Sequence, residues 1–133
     1  YLLTGLNLTP YVAATYLRRH FDTDSYETSQ TGDPSLFGRF GLRWFHDFDK
    51  TTRFNADAYS RQASTAKEYS SDGYAVYNTW QTYNLALGLD WGKESKYRLS
   101  LNLNNLTHEK YTEANAALVS PGFHAVLRLG ADF

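Results

Sequence analysis

The chain has 133 residues, a net charge of −1, and neither cysteine nor methionine, which excludes disulfides, zinc–thiolate centres and a thiol nucleophile. Aromatic residues make up 17% of it, roughly twice ordinary usage. The absence of a long run of one charge sign leaves nothing that suggests a nucleic-acid surface or a basic membrane-binding helix. No window approaches the roughly 18 consecutive apolar residues of a membrane helix. The negative mean hydropathy does not by itself exclude a membrane barrel, in which only every second residue faces lipid.

Residues 1–16 carry Leu2, Leu6, Leu8, Val12, Ala14 and Tyr16 on one face, interrupted by Thr4 and Pro10. Proline cannot donate a ladder hydrogen bond, so either one strand passes Pro10 or two strands meet there. The chain opens on Tyr1-Leu2-Leu3 inside this apolar pattern, without an initiator Met, and reads as a piece of a longer precursor. Arg18, Arg19 and His20 lead into a polar, turn-rich loop over residues 22–35.

Residues 36–48 read as a strand, with Leu36, Phe40, Leu42, Trp44, His46 and Phe48 on one face and Arg39, Gly41 and Arg43 on the other. After a short turn at residues 49–52, Phe54, Ala56 and Ala58 alternate with Arg53, Asn55 and Asp57, and this strand runs to Arg61 or beyond. Residues 63–77 read as a second long loop. Tyr83, Leu85, Leu87, Leu89 and Trp91 form the next apolar face, followed by a short turn at residues 92–95. Tyr97, Leu99, Leu101 and Leu103 then alternate with Arg98, Ser100, Asn102 and Asn104. A third long connection spans residues 108–120. In the last segment Phe123, Ala125, Leu127, Leu129, Ala131 and Phe133 face one way, and His124, Val126, Arg128, Gly130 and Asp132 the other. This period of two predicts strands that separate two different environments.

Short and long connections alternate along the chain, and aromatic residues cluster at strand ends, as in hairpins with one plain and one elaborated end. Aromatic belts flanking a band of Leu, Ala and Phe fit the lipid-facing wall of an outer-membrane barrel. The expected fold is therefore all-β, an antiparallel transmembrane β-barrel. The arginines and aspartates would line its lumen, since Arg or Lys facing lipid at mid-depth costs about 2–4 kcal/mol each.

Asn105-Leu106, Tyr111, Pro121-Gly122 and a last strand ending in Phe133 resemble the C-terminus of TonB-dependent outer-membrane receptors. Thr107-His108 and Phe123 depart from the residues common there, and the resemblance is strongest over residues 97–133. It implies that residues 1–133 are the C-terminal part of the receptor barrel, about six strands of a barrel of about 22, without the plug domain and earlier strands. The implied function is active import of a scarce nutrient, a ferric siderophore or haem, energised by the TonB complex. The implied location is the cell outer membrane of a Gram-negative bacterium. The implied partners are outer-membrane lipid and lipopolysaccharide, the remaining barrel strands and plug, the TonB complex reached through that plug, and the barrel assembly machinery, which would read Leu127, Leu129 and Phe133 as an added strand. The alternative reading is a small outer-membrane barrel acting as a passive pore or a lipid-modifying enzyme.

No serine, histidine and carboxylate set stands in a recognisable catalytic motif, so no enzyme, cofactor or metal is expected. His20, His46, His108 and His124 lack the spacing that would put two ligands on one element. The candidate ligand-binding residues are Arg18, Arg19, His20, His108 and His124, at junctions between strands and long loops on the extracellular rim; the two arginines would steer an anionic ligand.

Overall fold

The computed structural model describes residues 7–22, 24–70, 73–113 and 119–132. Among these described residues ten strands follow in chain order: β1 (Leu8–Tyr16), β2 (Phe21–Asp22), β3 (Glu27–Thr28), β4 (Leu36–Asp47), β5 (Thr52–Ala63), β6 (Ala66–Ser70), β7 (Gly73–Tyr77), β8 (Trp80–Trp91), β9 (Tyr97–Asn104) and β10 (His124–Ala131). Six of them form one antiparallel sheet in the order β1-β4-β5-β8-β9-β10. β2 pairs with β3, and β6 with β7, in separate small sheets.

The six strands of the main sheet lie where the alternation of apolar and polar residues places them. β1 runs through Pro10, which stands opposite Leu42; an edge strand is where a proline is accommodated. The cross-strand register joins residues of like character into rows. One row reads Leu8, Trp44, Ala56, Leu87, Leu101 and Leu127. A row on the opposite face reads Thr9, Arg43, Asp57, Ala86 and Asn102. A slip of one residue in any strand would mix the two faces, so the pattern pins the register.

The polar stretches 22–35 and 63–77 are more ordered than their composition suggests. They supply the β2–β3 and β6–β7 hairpins, and Thr31 bridges to Glu68. The Gly32 and Tyr69 amides donate to the carbonyls of Lys67 and Gln30, joining the two excursions. Beneath them lies the small apolar core, Ala63, Ala66 and Trp80, each under 5% exposed. At the other end of the sheet the connections are short turns.

The expected transmembrane barrel does not form. β1 and β10 are opposite edges of an open sheet, each bonded to a single neighbour. A barrel has no edges, because its first and last strands pair. Alternation of period two reports that a sheet has two unlike faces; it carries no information about closure, and here the sheet stays open. The reading of these strands as six staves of a larger, 22-stranded barrel is corrected accordingly, and so is the alternative of a small complete barrel.

Candidate functional site

The two faces of the main sheet differ in chemistry, and each concentrates a distinct set of side chains. On the apolar face no element among the described residues packs over the side chains. Val12 is 81% exposed, Leu129 76% and Leu127 64%, and Phe40, Leu42 and Trp44 are exposed as well. Down its middle β5 contributes only Ala56, Ala58 and Ser60, between the large residues of β4 and β8. The result is a trough of about 500 Å³ lined by Phe40, Leu42, Ala58, Tyr83, Leu85 and Leu106. Aromatic contacts stiffen the short-turn end: Trp44 meets Phe54 edge-on with centroids 5.7 Å apart, and Trp91 stacks on Tyr97 at 5.6 Å.

The polar face is organised around Asp57. Gly41 stands between Tyr11 and Tyr59 in the register, and the Tyr11 ring occupies the space a Cβ would need; an added methyl would lie 2.7 Å from that ring. This placement lets the Tyr11 hydroxyl donate to Asp57 Oδ1 at 2.8 Å while accepting from Arg39 Nε at 3.2 Å. The other carboxylate oxygen, Oδ2, takes Arg39 Nη2 at 3.4 Å and Arg43 Nε at 3.3 Å. Burial raises the Tyr11 pKa above the usual phenol value, and the bond to Asp57 adds to the rise against the opposing effect of Arg39. Tyr11 therefore stays a protonated donor. The guanidinium of Arg39 lies 3.9 Å from the centre of the Tyr59 ring, a cation–π contact that fixes its plane.

Nearer the long loops, Arg61 stands directly opposite Arg39 across β4 and β5. Its guanidinium is 5.6 Å from the Trp80 ring, which stacks on Tyr111 at 4.2 Å. Its carboxylate partner is Glu113, at 3.5 Å. At the short-turn end the charges are instead closely matched. Arg53 grips Asp47 through two bonds of 2.6 and 3.1 Å, and Arg98 bonds Asp90 at 2.6 Å. The Asp47 pKa falls, chiefly through the hydrogen bond from Arg53, and that of Asp49 falls chiefly through the Thr51 hydroxyl. A concavity of about 640 Å³ lies here, and its three aspartates, Asp47, Asp49 and Asp90, are already engaged. Among the described residues no group of three or more His, Asp or Glu is placed to hold a metal ion.

The five residues expected to form a ligand-binding rim fall into two groups at opposite edges of the sheet. Arg18, Arg19 and His20 follow β1. Arg19 bonds Asp33 at 2.8 Å and His20 bonds Glu27 at 2.8 Å, so both fasten the loop they precede, while Arg18 has no partner among the described residues. His108 and His124 meet around Gly122. The Phe123 amide donates to His108 Nδ1 at 3.2 Å, and His124 Nδ1 lies 3.0 Å from the Gly122 carbonyl oxygen. The His108 ring fills the space beside Gly122 that a Cβ would take. Of the residues expected to form an assembly signal, Leu127 and Leu129 lie exposed on the edge strand β10, and Phe133 lies outside the described residues. The pairing of Arg39 with Arg61 was not apparent from sequence. Both stood among residues of one parity in their own strands, but only the β4–β5 register puts them side by side.

Asn105 accounts for much of the motif near the C-terminus. It is 3% exposed and has a left-handed backbone with φ 54°, a conformation that asparagine tolerates better than most residues. Its side chain donates to the carbonyls of Glu109 at 2.8 Å and Pro121 at 3.2 Å and accepts from the Glu109 amide at 2.8 Å. Its own amide donates to Asn84 Oδ1 at 3.1 Å. Asn105, Tyr111 and Pro121-Gly122 thus hold one loop against the sheet.

No known protein family, curated protein or solved structure matches this chain. The resemblance to TonB-dependent receptors is corrected by the open sheet, whose strands β1 and β10 do not close on one another, and the residues that carried it have local roles in the loop around Asn105. An open sheet also leaves backbone groups unpaired along β1 and β10, which hydrocarbon does not tolerate. Placement in the Gram-negative outer membrane is corrected on the same ground. With it go nutrient import as a ferric-siderophore or haem receptor, the passive-pore and lipid-modifying alternatives, and the partners they required: outer-membrane lipid and lipopolysaccharide, further barrel strands and a plug, the TonB complex and the barrel assembly machinery.

Proposed function

We propose that this chain is a non-catalytic association module in which the apolar face of the main sheet packs on the same face of a second copy, forming a two-layer β-sandwich. The supporting observation is the uncovered apolar face itself. Its rows carry no Arg, Lys, Asp or Glu from β1 to β10, so it offers nothing to a charged partner and suits a surface like itself. Six strands about 4.8 Å apart, with ladders of about eight residues rising about 3.4 Å each, cover roughly 800 Å², close to the ~800 Å² that each partner buries in a stable interface. The trough along Ala56 and Ala58 receives the ridge of Phe40, Leu42 and Trp44 from the other copy, an isologous arrangement with the layer spacing of packed sheets.

Sedimentation velocity over a range of concentrations tests this reading, with Leu87→Glu at the centre of the face and Arg128→Glu on the opposite face. A reversible dimer that Leu87→Glu disperses and Arg128→Glu leaves intact is expected. A monomer at all concentrations would overturn the reading, as would a monomer recovered only with detergent bound to the face or a dimer indifferent to Leu87→Glu.

A further inference from the structure

The polar face stays open to solvent whether or not the apolar faces pair, and its centre carries cationic groups that its own carboxylates do not match. Arg39 and Arg61 stand directly opposite one another, an arrangement that is destabilising for like charges on adjacent strands. Asp57 is already divided between Tyr11, Arg39 and Arg43, and both guanidinium contacts to it exceed 3.2 Å, longer than the about 2.7–2.9 Å of a firm charge-assisted bond. Glu113 reaches Arg61 only at 3.5 Å. The same face shows what full pairing looks like, in the 2.6 Å bonds of Arg53 to Asp47 and Arg98 to Asp90. Between Arg39 and Arg61 opens a cleft of about 200 Å³, walled by Ala13, Thr15, Phe37 and Trp80.

We propose that this cleft binds a compact oxyanion, a phosphate or sulfate group, held between the guanidinium groups of Arg39 and Arg61. Each guanidinium is laid against an aromatic ring, Tyr59 for Arg39 and Trp80 for Arg61. Ring contacts use the faces of the guanidinium groups and not their N–H edges. Arg39 spends Nε on Tyr11 and one long Nη2 contact on Asp57, and Arg61 one long Nη2 contact on Glu113. This leaves Arg39 Nη1 and the remaining N–H groups of Arg61 to donate to the oxygens of a tetrahedral anion. Thr15, in the lining of the cleft, supplies a further hydroxyl donor. A bridging anion removes the repulsion between the two cations that the β4–β5 register sets side by side.

The test is calorimetric titration of the intact chain with inorganic phosphate and, separately, with sulfate, in chloride buffer of constant ionic strength. Saturable one-site binding is expected, weakened at least tenfold in Arg39→Gln and in Arg61→Gln and unchanged in Arg128→Gln, which removes a cation from the same face but away from the cleft. Arg39→Lys keeps the charge and loses the fork, and is expected to bind less tightly than the wild type. Preference for one anion over the other identifies the source class. Side-chain Nε resonances of the wild-type arginines, followed during the phosphate titration, give a readout that does not depend on any variant folding: those of Arg39 and Arg61 should shift together and saturate. No saturable binding of either anion would overturn the proposal. So would an equal loss in Arg128→Gln, which reports general charge attraction.

Discussion

Tyr11 lies across Gly41 because no side chain stands between β1 and β5 at that point, and from there its hydroxyl reaches Asp57. Tyr11→Phe removes two partly buried hydrogen bonds, the one to Asp57 and the one from Arg39, and is expected to cost about 1–3 kcal/mol, read from urea unfolding at neutral pH. The pH dependence has a definite sign. An unfolded tyrosine ionises near pH ~10, whereas folding raises the Tyr11 pKa, first through burial and then through Asp57. The folded state therefore holds the proton more tightly. Its contribution is complete below about pH 10 and is lost as pH climbs through the raised value. Between pH 9 and pH 11 the wild type should lose more stability than Tyr11→Phe; equal losses would show that another group titrates.

Within elements, the loop from β9 to β10 depends on Asn105 more than on any other described side chain. Asn105→Ala deletes three side-chain hydrogen bonds and leaves in the left-handed region a residue that tolerates it less well than asparagine, with an expected cost of about 2–4 kcal/mol. Asn105→Gly relieves the backbone strain alone and should recover a minor part of that loss. Thermal unfolding of both variants checks this, and a wild-type midpoint for Asn105→Ala would contradict the hub. The importance of Asn105 was partly visible in sequence, as one member of a suggestive pattern. Its physical reason was not, because the pattern spans sixteen residues and becomes a contact only when Glu109 and Pro121 fold back on it. The long-loop hairpins were missed for a related reason. β2, β3, β6 and β7 are short and polar, and their pairing shows no apolar alternation that could announce it. Pro10 was ambiguous because its tolerance depends on whether a strand lies at an edge, which is a property of the sheet.

At the scale of the whole molecule, β5 and β8 lie at the centre of the sheet with paired strands on either side, and β1 and β10 at its rims. Opening the rim strands disrupts one ladder, and opening the central ones disrupts two, so native-state hydrogen exchange should be slowest at amides in β5 and β8 and fastest in β1 and β10. The reverse order would contradict the topology. Association through the apolar face leaves this ranking in place, since face-to-face packing adds no ladder to the rims.

The sequence alone determined where the main strands run and which residues share a face, because side chains alternate across any extended chain and the apolar ones select one side. It also determined that the chain has no thiol chemistry. Only the tertiary structure decided that the sheet remains open, that polar loops form hairpins over a small core, and that Arg39, which shares Asp57 with Arg43, confronts Arg61. Periodicity describes one strand at a time. Closure, register and charge balance are relations between strands, and they become visible only when the strands are brought together.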